Sequence, residues 1–143
     1  MGELPSRGYL RLAAIADPHG VVWYVFDDKR LSAPARQQVE DAAARGDPVG
    51  VSAMTLAELV YLVEKGRVPQ QALQRVLDAT EASDNVLTII SFDRCVAQAM
   101  TLIPRAAIFE LPDRIIAAAA LYLGVPLITR DLQIRAAGLP TIW

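Results

Sequence analysis

One figure recurs along this chain and constrains its fold: a short apolar run that stops at a turn or an acid and passes at once into a helical pattern. Val125-Pro126-Leu127-Ile128-Thr129 runs into Arg130-Asp131, and Leu12-Ala13-Ala14-Ile15-Ala16 runs into Asp17-Pro18-His19. Val49–Ser52 and residues 85–90 are further short runs of the same kind, and residues 139–143 are the last. Short, continuously apolar segments of this type read as strands buried on both faces. Strands separated by helices need crossover connections, and these are right-handed, so the strands lie parallel with helices over both faces. The expectation is a single α/β domain over residues 10–143, with a central parallel sheet of about five strands, preceded by a polar, flexible arm over residues 1–9. In such sheets the strand C-termini share one edge, the next helices start there, and ligands bind there.

The helices are marked by their ends. Asp17 with Pro18 opens a strongly apolar segment, Gly20 to Phe26, and Ser32 with Pro34 opens another that runs to about Arg45. Met54 to Lys65 is a helix stopped by Gly66, and an amphipathic helix starts at Pro69. Residues 92–102 and 113–123 are helical, the second rich in alanine and closed by Gly124.

Composition narrows the class. With 53% apolar residues the chain can bury a core. The longest apolar run, Ile115 to Thr129, is broken by Gly124 and Pro126, which is too short for a membrane span. The N-terminus makes a poor signal peptide. Cys95 is alone, which excludes an intrachain disulfide and a cysteine-based metal site. The expectation is a soluble cytoplasmic protein. A net charge of −2 argues against a basic nucleic-acid coat. Setting four acids aside from 16, against 14 basic residues, leaves the remainder at +2, so a nuclease with catalytic carboxylates stays open.

Four acids are candidates. Asp17, Asp113 and Asp131 each stand where a strand ends or a helix begins, and each reads equally well as a helix N-cap. Glu58 lies in a mostly apolar helix. The densest apolar arc there is Leu56, Leu59, Val60 and Val63, which puts Glu58 roughly opposite and permits an ordinary solvated side chain. Taken jointly, the four would converge on one edge of the sheet. Converging carboxylates repel unless a hard cation sits among them, and an oxygen-only donor set suits Mg²⁺ or Mn²⁺ better than Zn²⁺. Such an ion, with substrate phosphate, is the logic of phosphodiester cleavage.

The chain resembles PIN-domain ribonucleases, specifically the VapC-type toxins of bacterial type II toxin–antitoxin pairs. The resemblance rests on Ile15 to Trp23, Val51 to Leu59 with Leu62 to Arg67, Leu111 to Ala118, Leu127 to Asp131, and Pro140 to Trp143, in that order. It implies a PIN-like fold, a Mg²⁺- or Mn²⁺-dependent endoribonuclease acting on single-stranded or loop RNA, and a cognate VapB-like antitoxin. By position, Asp17, Asp113 and Asp131 would be metal ligands. Glu58 would complete the catalytic cluster, with Ser52 and Thr129 as candidates for positioning water or phosphate. Pro18 departs from the hydroxyl residue or Asn usual after the first acid, and Glu110-Leu111-Pro112-Asp113 departs from acid-Pro-aromatic-acid. The alternative is a catalytically impaired PIN-fold module that binds RNA or protein. A phosphoacceptor receiver domain also has an acidic edge, but it wants a lysine late in the chain, and Lys29 and Lys65 both fall in the first half. The apolar segment Val21 to Phe26, and Tyr61 to Val63 beside Glu58, read as surfaces for a protein partner and for a homodimer.

Overall fold

The computed structural model describes residues 11–84 and 86–143. The expected arm, Leu10 at the start of the first strand and Asn85 at the start of the third lie outside them.

Five strands form one parallel sheet: β1 (Ala14–Ala16), β2 (Val49–Ser52), β3 (Leu87–Ile90), β4 (Leu127–Ile128) and β5 (Thr141–Ile142), in the order β3-β2-β1-β4-β5. Between them run α1 (Pro18–Val25), α2 (Ala33–Arg45), α3 (Ala53–Glu64), α4 (Ala72–Glu81), α5 (Arg94–Met100), α6 (Leu111–Leu123) and α7 (Leu132–Ala136). The chain winds outward from β1 to β3, then returns to the other side of β1 for β4. A switch point therefore falls between β1 and β4, where Ile15 pairs with Leu127 and Ala16 with Ile128.

Side chains alternate across each strand and divide the core into two layers. Ala14, Ala16, Val49 and Val51 face α1 to α4, while Ile15 and Leu127 face α5 to α7. Gly50 is required in β2, because a Cβ there would stand 2.8 Å from Ile90 Cγ1 and 3.2 Å from Ile15 Cγ1. Helix α6 is buried all round from Ile115 to Ala120, and its four alanines let α5 and the sheet approach it closely. Arg114 ties its first turn to the end of α5 by donating to the carbonyls of Met100 and Ile103, both at 3.2 Å.

Most expected helix starts hold. Asp17 caps α1 and Ser32 caps α2, whose hydroxyl accepts from Ala35 N at 3.1 Å. Several elements are shorter than expected: β4 pairs over Leu127–Ile128, and α4 begins at Ala72 rather than Pro69. Helix α6 instead starts two residues early, at Leu111, because Pro112 is tolerated in a first turn whose amides need no carbonyl partner. Asp113 is thus inside the first turn, and Glu110 holds the cap position.

The partner surface expected on α1 is corrected. Val21, Val22 and Trp23 are buried, because α1 packs between the sheet and the helices α3 and α4. On α3, Leu62 is also buried, while Tyr61 is exposed. Among the described residues no helix is long and apolar enough to cross a membrane.

Candidate active site

At the C-terminal edge of the sheet lies a cavity of about 470 Å³, lined by residues of α1, α3, α6 and the turn after β4. Five carboxylates face it, Asp17, Glu58, Glu110, Asp113 and Asp131, against the two guanidinium groups of Arg67 and Arg130. All four acids expected from the sequence are therefore brought together.

Asp17 is fixed by both β1 and α1. Its N–H donates to the Ile128 carbonyl at 3.1 Å, which carries the β1–β4 ladder past the strand end. Its Oδ1 accepts from Gly20 N at 2.7 Å. A Cβ on Gly20 would stand 3.0 Å from that oxygen, so glycine there lets the helix close onto the carboxylate. Pro18 sits at the first helical position, where the missing N–H had no helical acceptor in any case. Burial raises the pKa of Asp17, opposed by hydrogen bonds from Thr129 and Gly20.

Asp131 is the cap of α7. Its Oδ1 accepts from Gln133 N at 2.9 Å and Ile134 N at 3.1 Å. For Asp17 and Asp131, capping and membership of the cluster coexist. For Asp113 the cap reading fails, since it stands beyond the cap position. Burial, followed by the neighbouring charges of Asp131, Glu110 and Asp17, pushes its pKa up to about 6.

Glu58 corrects the helical-arc reading. The buried stripe of α3 is Thr55, Leu59 and Leu62, and Val60 is exposed. Glu58 is three residues after Thr55 and four before Leu62, so it borders the buried stripe instead of opposing it. Its Oε1 is buried and has no hydrogen-bond partner. Burial first, then Asp113, Asp17 and Glu110, push its pKa up to about 7. Thr55 Oγ1 is likewise buried without a partner.

The two hydroxyls are also corrected. Ser52 is buried, and its oxygen accepts from Met54 N at 3.1 Å to cap α3; it does not line the cavity. Thr129 is fully buried, accepts from Asp131 N at 3.0 Å and hydrogen-bonds Asp17. It holds two carboxylates together across the switch point and has no surface to offer a substrate.

The sequence reading did not select Glu110, Arg67, Arg130 or Tyr61 as site residues. Glu110 had a weak signal, since Pro112 marks a helix start close by, although proline at the first helical position would have put the cap at Leu111. The others had none, because their place depends on how α3 and the turn after β4 meet. Arg130 stacks over Trp23, its guanidinium carbon 4.4 Å from the ring centroid, and exposed His19 lies 5.3 Å from the same ring. Among the described residues, no three His, Cys, Asp or Glu side chains are grouped so as to hold a metal ion.

A five-stranded parallel sheet in this order, with carboxylates gathered beside its central strand, is the architecture of the PIN domain, and the chain belongs to that family: the PIN domain profile matches residues 19–139. Among known proteins it is similar to Ribonuclease VapC22 of Mycobacterium tuberculosis (strain ATCC 25618 / H37Rv), with 29% identity over 132 residues, 90% of this chain and 97% of the relative. Solved structures of the same fold include VapBC2 from Rickettsia felis bound to a promoter DNA fragment, with a TM-score of 0.67, 20% identity, and 91% of this chain and 97% of that one covered. A toxin–antitoxin complex from Klebsiella pneumoniae matches with a TM-score of 0.65 and 23% identity, over 92% of this chain and 97% of that one.

Proposed function

We propose that this chain is a divalent-metal-dependent endoribonuclease and acts as the toxin of a toxin–antitoxin pair. The observation that carries the reading is the cavity itself: five carboxylates facing one space, with Glu58 and Asp113 pushed up to about 7 and about 6 and a buried Glu58 oxygen left without a partner. Like charges brought this close repel, and a divalent cation among them would offset that cost, which supports the metal-dependent reading.

The donor set fits Mg²⁺ or Mn²⁺ in kind, being all oxygen. Asp17, Asp113 and Asp131 would hold the ion, with Glu58 beside them. When bound, the ion supplies Lewis-acid stabilisation of the charge that builds on the phosphodiester during cleavage. Glu58, whose buried Oε1 has no hydrogen-bond partner, is placed to accept a hydrogen bond from water or substrate in the cavity. Arg67 and Arg130 would fix the substrate phosphate. Thr129 acts through Asp17 and Asp131 as a positioning residue.

Similarity to Ribonuclease VapC22 supports RNA as the substrate, and likeness to VapBC complexes supports a VapB-like antitoxin as partner. A homodimer belongs to the same reading. The apolar groove between α5 and α6, lined by Ala99, Leu102, Leu121 and Tyr122, is a surface available for it, with Leu102 71% exposed.

The test is incubation of the purified protein with RNA in Mg²⁺ or Mn²⁺, and again with EDTA, beside melting curves across a metal titration. Cleavage and a metal-induced rise in Tm are expected, both abolished by EDTA. Cutting that survives EDTA overturns the metal dependence. Light scattering, alone and with a VapB-like protein, tests the dimer and the antitoxin.

A further inference from the structure

We propose that Tyr61 is the platform on which an unpaired base of the substrate stacks while its phosphate lies over the carboxylate cavity. The proposal rests on the ribonuclease reading above and assigns one residue of that site. Tyr61 follows Glu58 by three positions on α3, so the two share a face of the helix. It lines the cavity and is 51% exposed. Lys65, one turn on, holds its ammonium 5.6 Å from the Tyr61 ring centroid. Arg67 continues the same bank into the cavity. Among the described residues, the aromatic rings lining the cavity are those of His19 and Tyr61, and His19 is tilted against Trp23. Trp23 carries Arg30 and Arg130 and is only 3% exposed, so its ring is already used. Tyr61 is the larger of the two rings and, with Lys65 as its one cationic neighbour, keeps a face to offer.

The electrostatics explain why a ring is needed. Five carboxylates and two guanidinium groups line the cavity, so with a divalent cation among the acids the charge contacts serve the phosphate and leave the base without a partner. Stacking does not depend on net charge, and every base has a π-face. A base inside a duplex has both faces covered and cannot use the platform. Exposed Val60 and the cavity-lining Leu62 adjoin Tyr61, but Glu58, Lys65 and Arg67 share its bank, which suits a nucleic acid better than a continuous apolar protein face.

The test compares wild type, Tyr61→Ala and Tyr61→Phe on a single-stranded RNA cut by the wild type. Tyr61→Ala is expected to lower kcat/KM by about 5- to 150-fold, the range of one base–aromatic stack, with the loss carried by KM. Tyr61→Phe should stay within about twofold, since it keeps the π-face, and Tm should not move in either variant. In parallel, random-sequence single-stranded RNA containing 5-iodouridine is irradiated with the Asp113→Asn protein, and the crosslink is mapped by mass spectrometry. A crosslink at Tyr61, outcompeted by single-stranded but not duplex RNA, is expected. Crosslinks at Phe109 or Trp143 without Tyr61, or an unchanged kcat/KM in Tyr61→Ala, overturn the proposal and leave Tyr61 as a protein-docking side chain. Failure of the ribonuclease reading is a separate result, no cleavage by wild type with either metal, and the crosslink still decides the role of Tyr61 because it needs no cleavage.

Discussion

Replacing Glu58 by Gln isolates the strain that the cavity imposes on one carboxylate. Glu58 is pushed from 4.5 to about 7, chiefly by burial and then by Asp113, Asp17 and Glu110. Its folded pKa lies above its unfolded one, so between about pH 4.5 and 7 the folded state binds more protons than the unfolded state. Stability of the metal-free protein therefore falls as pH rises through that window and is flat beyond it. At about 1.36 kcal/mol per pKa unit the whole shift sets a ceiling of roughly 3 kcal/mol. Glu58 is only half-buried and shares its titration with Asp113, so water and coupling reduce this to about 1–2 kcal/mol. Glu58→Gln keeps the shape and removes the charge. It is expected to match wild type near pH 4 and to exceed it by about 1–2 kcal/mol at pH 8 in EDTA. The assay is urea unfolding followed by circular dichroism at several pH values. Saturating Mg²⁺ at pH 8 should stabilise wild type more than the variant, since a ligand stabilises by RT ln(1 + [L]/Kd). Parallel pH profiles for the two proteins, or a variant less stable than wild type at pH 8, would refute the electrostatic account of Glu58.

Asp113→Asn should lose both the Mg²⁺-induced rise in Tm and RNA cleavage; a rise equal to that of wild type would remove Asp113 from the ligand set. Gly20→Ala forces Asp17 Oδ1 away from a Cβ 3.0 Å distant and disturbs the α1 cap. We expect a stability loss of about 1 kcal/mol, the scale of a lost cap, and a clear drop in cleavage; full activity would show that Asp17 has room to move. Pro18→Thr should keep the Asp17 cap, stay within about 1 kcal/mol of wild type and retain activity, because position N1 needs no amide donor. A large gain in cleavage would instead mark Pro18 as an impairment. Ile108→Ala, at a fully buried position, should cost about 2–5 kcal/mol in urea unfolding without altering the pH dependence set by the cavity.

The local grammar of this chain lies in its sequence. Asp17 with Pro18, Ser32 and Gly46 mark helix ends because caps are short-range chemistry, settled within a few residues. The short apolar runs fix a buried parallel sheet because a strand without polar alternation has no face for water. That is enough to send Asp17 and Asp131 to the strand C-termini. Periodicity misplaced Glu58, because an arc drawn from side-chain types counted Val60 as inward, while the packing of α3 against α4 and α6 leaves Val60 in solvent and turns Thr55 in. It likewise offered α1 as a free surface, although the sheet and two helices cover it. The order β3-β2-β1-β4-β5 was decided only in three dimensions, since strand pairing joins residues more than a hundred positions apart, as Ile15 joins Leu127. That pairing sets Thr129 between Asp17 and Asp131, and the docking of α3 and α6 onto the same edge brings in Glu58, Glu110 and Asp113. The sequence determines which acids end their elements at the edge; their closeness, and the raised pKa values that follow from it, depend on distances that no local pattern encodes.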